Sequence, residues 1–216
     1  MRALIVVLLI CMASCANAQF RNGRKLELPE PVLCAKRIIH EINNGTNYFY
    51  HWRANISEED WLGARNYCRL RCMDLISLET KEKNDFLKAV IARDDVDEVW
   101  TSGRLCDFSG CQRKQFFPRH INGWIWTGAF EQLAPTTDKA RTDWSWTGET
   151  GDPQPDNWEY TQNRKLESCL AVFNNKYNDG IRWHDAACSR RRSFACEDIR
   201  ELLIYARFLR PDVDIP

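Results

Sequence analysis

In the stretch "GDPQPDNW", residues 151–158, Gln154 and Asp156 flank Pro155. Their side chains offer an amide oxygen and a carboxylate. These are donor types that calcium takes, six to eight at a time, at about 2.4 Å. Turn chemistry alone accepts almost any polar pair beside a proline, so the pair implies binding only if other groups join it. Rival chemistries are poorly equipped. No CxxC or HExxH string is present for zinc, and no GxSxG motif accompanies His184-Asp185, so an enzyme is not expected. A second feature is "SRRRS", residues 189–193. Its arginines could meet sulfated or acidic glycans, against the plainer reading of a solvated loop balanced by nearby acids.

The chain around these residues opens with "MRALIVVLLICMASCANA". One Arg, an apolar run and the small-residue pattern Ala16-Asn17-Ala18 read as a signal peptide over residues 1–18, implying a secreted chain. The run falls short of the roughly 20 apolar residues of a membrane span. Basic and acidic residues number 30 each, and losing Arg2 with the leader changes the balance by one charge. That gives no reason to expect nucleic acid or a strongly charged partner. Cys11 and Cys15 leave with the leader. The remaining Cys34, Cys68, Cys72, Cys106, Cys111, Cys169, Cys188 and Cys196 imply a disulfide framework, whose pairing counting alone leaves open. Asn44 and Asn55 begin N-glycosylation sequons.

Residues 19–33 are polar and read as an unstructured lead-in, within a lead-in segment that extends to residue 45. "TNYFYHW" has strand composition. In "SEEDWLGARNYCRLRC", Ser57 and Asp60 resemble a capping box, and Trp61, Ala64, Tyr67 and Cys68 recur at helical spacing. A second helix fits "TKEKNDFLKAVIAR", capped by Thr80, with Phe86, Leu87, Val90 and Ile91 on one face. Six of the nine tryptophans then fall between Trp100 and Trp158, in an irregular region too long to be a mere connection. Short strand-like pieces follow, "SCLAVF", "GIRWHDAAC" and "RSFACE". An apolar tail, residues 199–216, could form a helix that docks on the domain or on a neighbouring subunit. The expected fold is one α+β domain with two helices, small antiparallel sheets and a long irregular loop, tied by disulfides.

Taken in order, "WLGARNYC", "VWTSG", "GWIWTG", "DWSWTG", "GDPQPDNW", "LESC", "IRWHDAAC" and "FACE" resemble the motifs of the C-type lectin-like domain family, in a form found in arthropods. The resemblance spans residues 46–198. It implies bridges Cys68–Cys196 and Cys169–Cys188. Cys106 and Cys111 lie close together in an insertion, which suggests a local pair and leaves Cys34 with Cys72 by elimination.

The resemblance also assigns the loop a role. Gln154 and Asp156 would ligate calcium from either side of a proline that is usually cis in the family, joined by Glu167 and Asp185. The family normally places asparagine where this chain has His184, and imidazole is a poor match for a hard cation. His184 could instead hydrogen-bond the sugar, making binding weaken near pH 6, or be a strand-end residue with no role. An auxiliary calcium site is not expected, because Ser168 stands where an acid would be needed. Gln-Pro-Asp is the family's galactose-type pattern, as opposed to Glu-Pro-Asn for mannose. Trp158 either stacks on the sugar or packs beneath the loop, as Trp100, Trp126, Trp146 and Trp183 are expected to pack in the core.

The expected function is therefore a secreted protein that binds galactose or N-acetylgalactosamine with Ca²⁺, through Gln154, Asp156, Trp158, Glu167 and His184. The alternative is a calcium-independent module that binds protein or extracellular matrix, or associates with itself.

Overall fold

Strand β4 (Glu98–Leu105) is the hub of the sheet. It pairs antiparallel with β5 (Trp124–Trp126) and β7 (Cys169–Asn174), and parallel with β9 (Ser193–Asp198). This arrangement is seen in a computed structural model that describes residues 25–216. The leader read over residues 1–18 lies outside the described residues. Val99 to Gly103 are buried without a break, as a strand covered on both faces requires. Gly103 is there for space: a Cβ would meet that of Leu170 at 2.6 Å.

The sheet grows outward from this hub. The hairpin of β1 (Glu41–Asn43) and β2 (Thr46–Tyr50) turns through Asn44-Gly45, both at positive φ, the pattern of a type I′ turn. β2 and β3 (Met73–Leu75) each pair with β9, β6 (Glu131–Gln132) pairs with β5, and β8 (Ile181–Ala186) pairs along its length with β7. Leu170 and Val172 of β7 feed one core cluster while Ala171 and Phe173 feed another, the period-two alternation of a strand between two layers.

Helices α2 (Trp61–Arg69) and α3 (Lys81–Asp94) pack on this sheet. In α2 the cap is Asp60, whose carboxylate accepts the Gly63 N–H at 2.8 Å; Ser57, expected as the cap, lies one turn too early. Fully buried Trp61 donates its indole N–H to the Thr101 carbonyl at 2.8 Å, fixing α2 to β4. α3 is capped by Thr80 and buries Leu87, Val90 and Ile91.

The lead-in is not unstructured throughout. α1 (Pro31–Ala35) carries Cys34 into a small third core, where Cys72, Ala206 and Ile215 meet. Ala206 belongs to α6 (Arg200–Leu209), so the tail folds back onto α1. Short helices α4 (Arg119–Asn122) and α5 (Trp158–Asn163) interrupt the irregular region. "DWSWTG" forms no strand; Trp144 makes an isolated bridge with Trp183. Trp100, Trp126 and Trp183 are core residues, but Trp146 is not: it lies at the surface with the Lys139 ammonium over its ring. The bridges are Cys34–Cys72, Cys68–Cys196, Cys106–Cys111 and Cys169–Cys188. Asn44 and Asn55 are both exposed.

Candidate functional site

The loop that carries Gln154 and Asp156 is fastened to β8 at several points. Gln154 donates its backbone N–H to the Ser145 carbonyl at 2.9 Å, and Ser145 donates in turn to Trp183 on β8. Two residues further along β8, the Asp185 carboxylate accepts the backbone N–H of Asp156 at 3.1 Å and of Asn157 at 2.8 Å. Asn157 sits in the left-handed region, φ 53°, where Asn is among the few residues at ease. Its side-chain oxygen takes the Glu167 N–H at 3.0 Å, and Glu167 Oε2 takes the Glu159 N–H at 3.0 Å. The Gln154–Pro155 peptide is cis.

These ties bring three carboxylates together. Asp156, Glu167 and Asp185 offer oxygens within 4.8 Å of one another. The Gln154 side chain is buried nearby. A Cβ at Gly148 would collide with its amide nitrogen and stand 3.1 Å from Asp156 Oδ2, so glycine leaves both groups room on the same side.

Among the described residues, none of the three acids forms an ion pair with Lys, Arg or His. Burial drives the Glu167 carboxyl up to about 7, with the Asp156 and Glu159 charges adding to it. Asp185 is raised well above the ordinary range, by burial first and by the Glu167 charge second. Clustered, desolvated acids of this kind resist ionisation until a cation joins them. Three carboxylates and an amide oxygen are a hard-donor set suited to Ca²⁺, with water or ligand hydroxyls needed to complete its shell.

His184 is not in this cluster. The next residue along a strand faces the other side, and the His184 ring lies flat on Phe173, centroids 4.4 Å apart, with Tyr177 at 5.3 Å. Burial lowers its pKa to about 4. A pKa lowered this far argues against a weakening of sugar binding near pH 6 through protonation of His184.

The cluster opens into a cleft of about 360 Å³. Trp158 is half-buried on its wall, its indole N–H donating to Glu149 at 3.0 Å. Lys176, Arg190, Arg191 and Arg192 also line it. "SRRRS" is thus only partly a solvated loop. Arg190 and Arg191 are exposed, while Arg192 is 7% exposed and ion-pairs with Glu98 at 2.6 Å. Sequence reasoning missed Gly148, Asn157, Lys176 and the Phe173–Tyr177 floor. Asn157 beside Asp156 carried a readable turn signal; for the others, adjacency across strands is invisible along the chain.

Comparison with known proteins follows the same lines. A family model described as the lectin C-type domain matches residues 57–198. L-selectin of Rattus norvegicus is 21% identical over 183 residues, 84% of this chain and 40% of the relative. L-selectin of Mus musculus is 22% identical over 170 residues, 76% of this chain and 35% of the relative. The chain therefore spans well under half the length of the curated relatives it matches. Among solved structures, the mouse scavenger receptor C-type lectin carbohydrate-recognition domain shares the fold, with a TM-score of 0.51 at 16% identity. That likeness covers 74% of this chain and 95% of that domain.

Proposed function

Because this chain belongs to the C-type lectin domain family, we propose that its carboxylate loop is a calcium-dependent sugar site with a preference for galactose or N-acetylgalactosamine. The domain is a carbohydrate-recognition module and not an enzyme. What carries the proposal is the convergence of half-buried Asp156 with buried Glu167 and Asp185, without a counter-cation among the described residues.

Gln154, Asp156, Glu167 and Asp185 would hold the ion. A calcium ion supplies there an anchor for two neighbouring sugar hydroxyls. The side chains then set the polarity of the hydrogen bonds around those hydroxyls: the Gln154 amide donates N–H, whereas the carboxylates of Asp156 and Glu167 accept O–H. The half-buried Trp158 face beside them offers apolar surface to the C–H face of a galactose ring. His184, neutral and stacked, contributes floor area rather than a metal bond.

Secretion is part of the same proposal. It is supported by four disulfides and by the leader-like first 18 residues. Among the described residues no helix is long and apolar enough to cross a membrane.

A glycan array read with calcium and after chelation tests the reading. Galactosides retained only with calcium are expected; a chelator-insensitive profile, or none for galactosides, would overturn it. A second reading is protein or matrix contact, or self-association, through the tail. It is favoured by α6, where Ile204, Phe208 and Leu209 are exposed.

A further inference from the structure

The cleft has a second set of polar residues that the calcium reading does not use. Glu98 serves two cations there, Lys176 through Oε1 at 2.5 Å and Arg192 through Oε2 at 2.6 Å. Two positive charges thus share one negative. Of the neighbouring arginines, Arg190 is taken by Glu159 at 2.9 Å, and Arg191 turns to the Glu58 carbonyl.

Arg192 is the least satisfied of the group. Its side chain is 8% exposed and its guanidinium carbon lies 4.6 Å from the Trp100 ring centroid and 5.4 Å from that of Phe173. Nε and Nη1 are buried without a hydrogen-bond partner, the Glu98 contact being an ion pair and not a well-directed hydrogen bond. A buried guanidinium left short of acceptors at a cleft wall is costly unless a ligand supplies them. Planar N–H groups suit two oxygens of one anion.

Arg192 and the carboxylate cluster line the same cleft, and the Arg192 charge acts on Glu167. Phe173, Tyr177 and the stacked His184 ring line the same cleft.

We propose that Arg192 and Lys176 form an anion subsite, which receives a sulfate ester or carboxylate borne by the galactoside that the carboxylate loop holds. The inference rests on the calcium-site reading for the neutral part of the sugar. It narrows the ligand class to acidic galactosides.

The test titrates the full chain with three matched galactosides, one neutral, one sulfated and one carboxylated, with calcium and after chelation. Arg192→Gln and Lys176→Gln are titrated alongside. Lys176 is 46% exposed, so its variant guards against misfolding at the buried arginine. Expected is a preference of about tenfold or more for an acidic over the neutral sugar, the order of a charge-assisted pair. That ratio should collapse toward one in both variants. The sulfated and carboxylated arms tell which acid fits.

Equal binding of neutral and acidic sugars by the wild type overturns the subsite and leaves the calcium reading standing. A ratio unchanged in both variants overturns it as well. Acidic sugars bound equally with and without calcium, with the neutral one not bound, sink the calcium reading and support the subsite. No binding of any galactoside sinks both.

Discussion

Asp185 Oδ2 accepts the backbone N–H of Asn157 at 2.8 Å, while Oδ1 of the same carboxylate accepts that of Asp156 at 3.1 Å. One side chain therefore does two jobs. It holds the loop against β8, and it offers an oxygen to the cluster. Two substitutions separate the jobs. Asp185→Asn keeps one acceptor but turns its amide N–H₂ toward the other backbone N–H and strands it, so without calcium it should melt below wild type and above Asp185→Ala. Its calcium-induced rise should vanish. For the wild type that rise corresponds to about 2.7 kcal/mol at calcium a hundredfold above its dissociation constant. Asp185→Ala strands both N–H groups, at about 1–3 kcal/mol each, and should melt lower with or without calcium. A normal calcium shift in Asp185→Asn would remove Asp185 from the metal set.

Proton competition gives the second expectation. The Glu167 carboxyl is held near 7 against an ordinary 4.5, chiefly by burial. Between those values the folded chain binds a proton that the unfolded chain has released, so stability without calcium falls as pH rises through that window. A cation must displace that proton. The gain in melting temperature on adding calcium should therefore be small near pH 4.5, grow toward pH 7 and level off above it. Differential scanning fluorimetry in calcium-depleted and calcium-loaded buffers reads this directly. A gain independent of pH would mean that Glu167 takes no part.

Sugar preference depends on which side of Pro155 donates. The double change Gln154→Glu and Asp156→Asn reverses the amide and the acid without altering the net charge of the pair. Galactoside binding should fall, and mannoside binding should appear, on the same calcium-dependent array. Trp158→Ala in the wild-type loop should weaken galactosides by about tenfold, the scale of one aromatic contact, and leave mannosides of the double variant little changed. Retained galactose preference in the double variant would place specificity elsewhere in the cleft.

Much of the architecture could be read from spacing. Trp61, Ala64 and Cys68 at helical intervals marked α2, and Thr80 followed by its apolar face marked α3, because each pattern reports a local repeat against a core. The loop donors could be named because Gln154, Asp156, Glu167 and Asp185 sit in short motifs of a recognisable family order. Less local features were hidden. The departure of His184 was visible as a residue type, yet its consequence depended on Phe173, which faces it only once β7 and β8 pair. Arg192 looked like its neighbours until β9 carried it beneath Trp100 and beside Glu98. The lead-in helix α1 was missed because five residues cannot show a period, and its stability comes from Cys34 and from α6, at the far end of the chain.

His184 supplies the last expectation, because its effect opposes that of Glu167. Burial lowers its pKa from 6.5 to about 4. Between those values the unfolded chain binds the proton and the folded chain does not, so this residue's contribution is present above pH 6.5 and is lost as pH falls toward 4. Over much of the same range the raised carboxyls of Glu167 and Asp185 make the calcium-free protein more stable on acidification. The two trends partly cancel in the wild type. His184→Gln removes one and leaves the other, so its calcium-free stability should rise more steeply from pH 6.5 to 4.5, by up to about 1.4 kcal/mol per pH unit for one full proton. Loss of the Phe173 stack lowers the whole curve and does not tilt it. Urea denaturation at a series of pH values measures the slope. Parallel curves for variant and wild type would show that the imidazole is not a buried neutral group, and would return it to the list of groups able to titrate near pH 6.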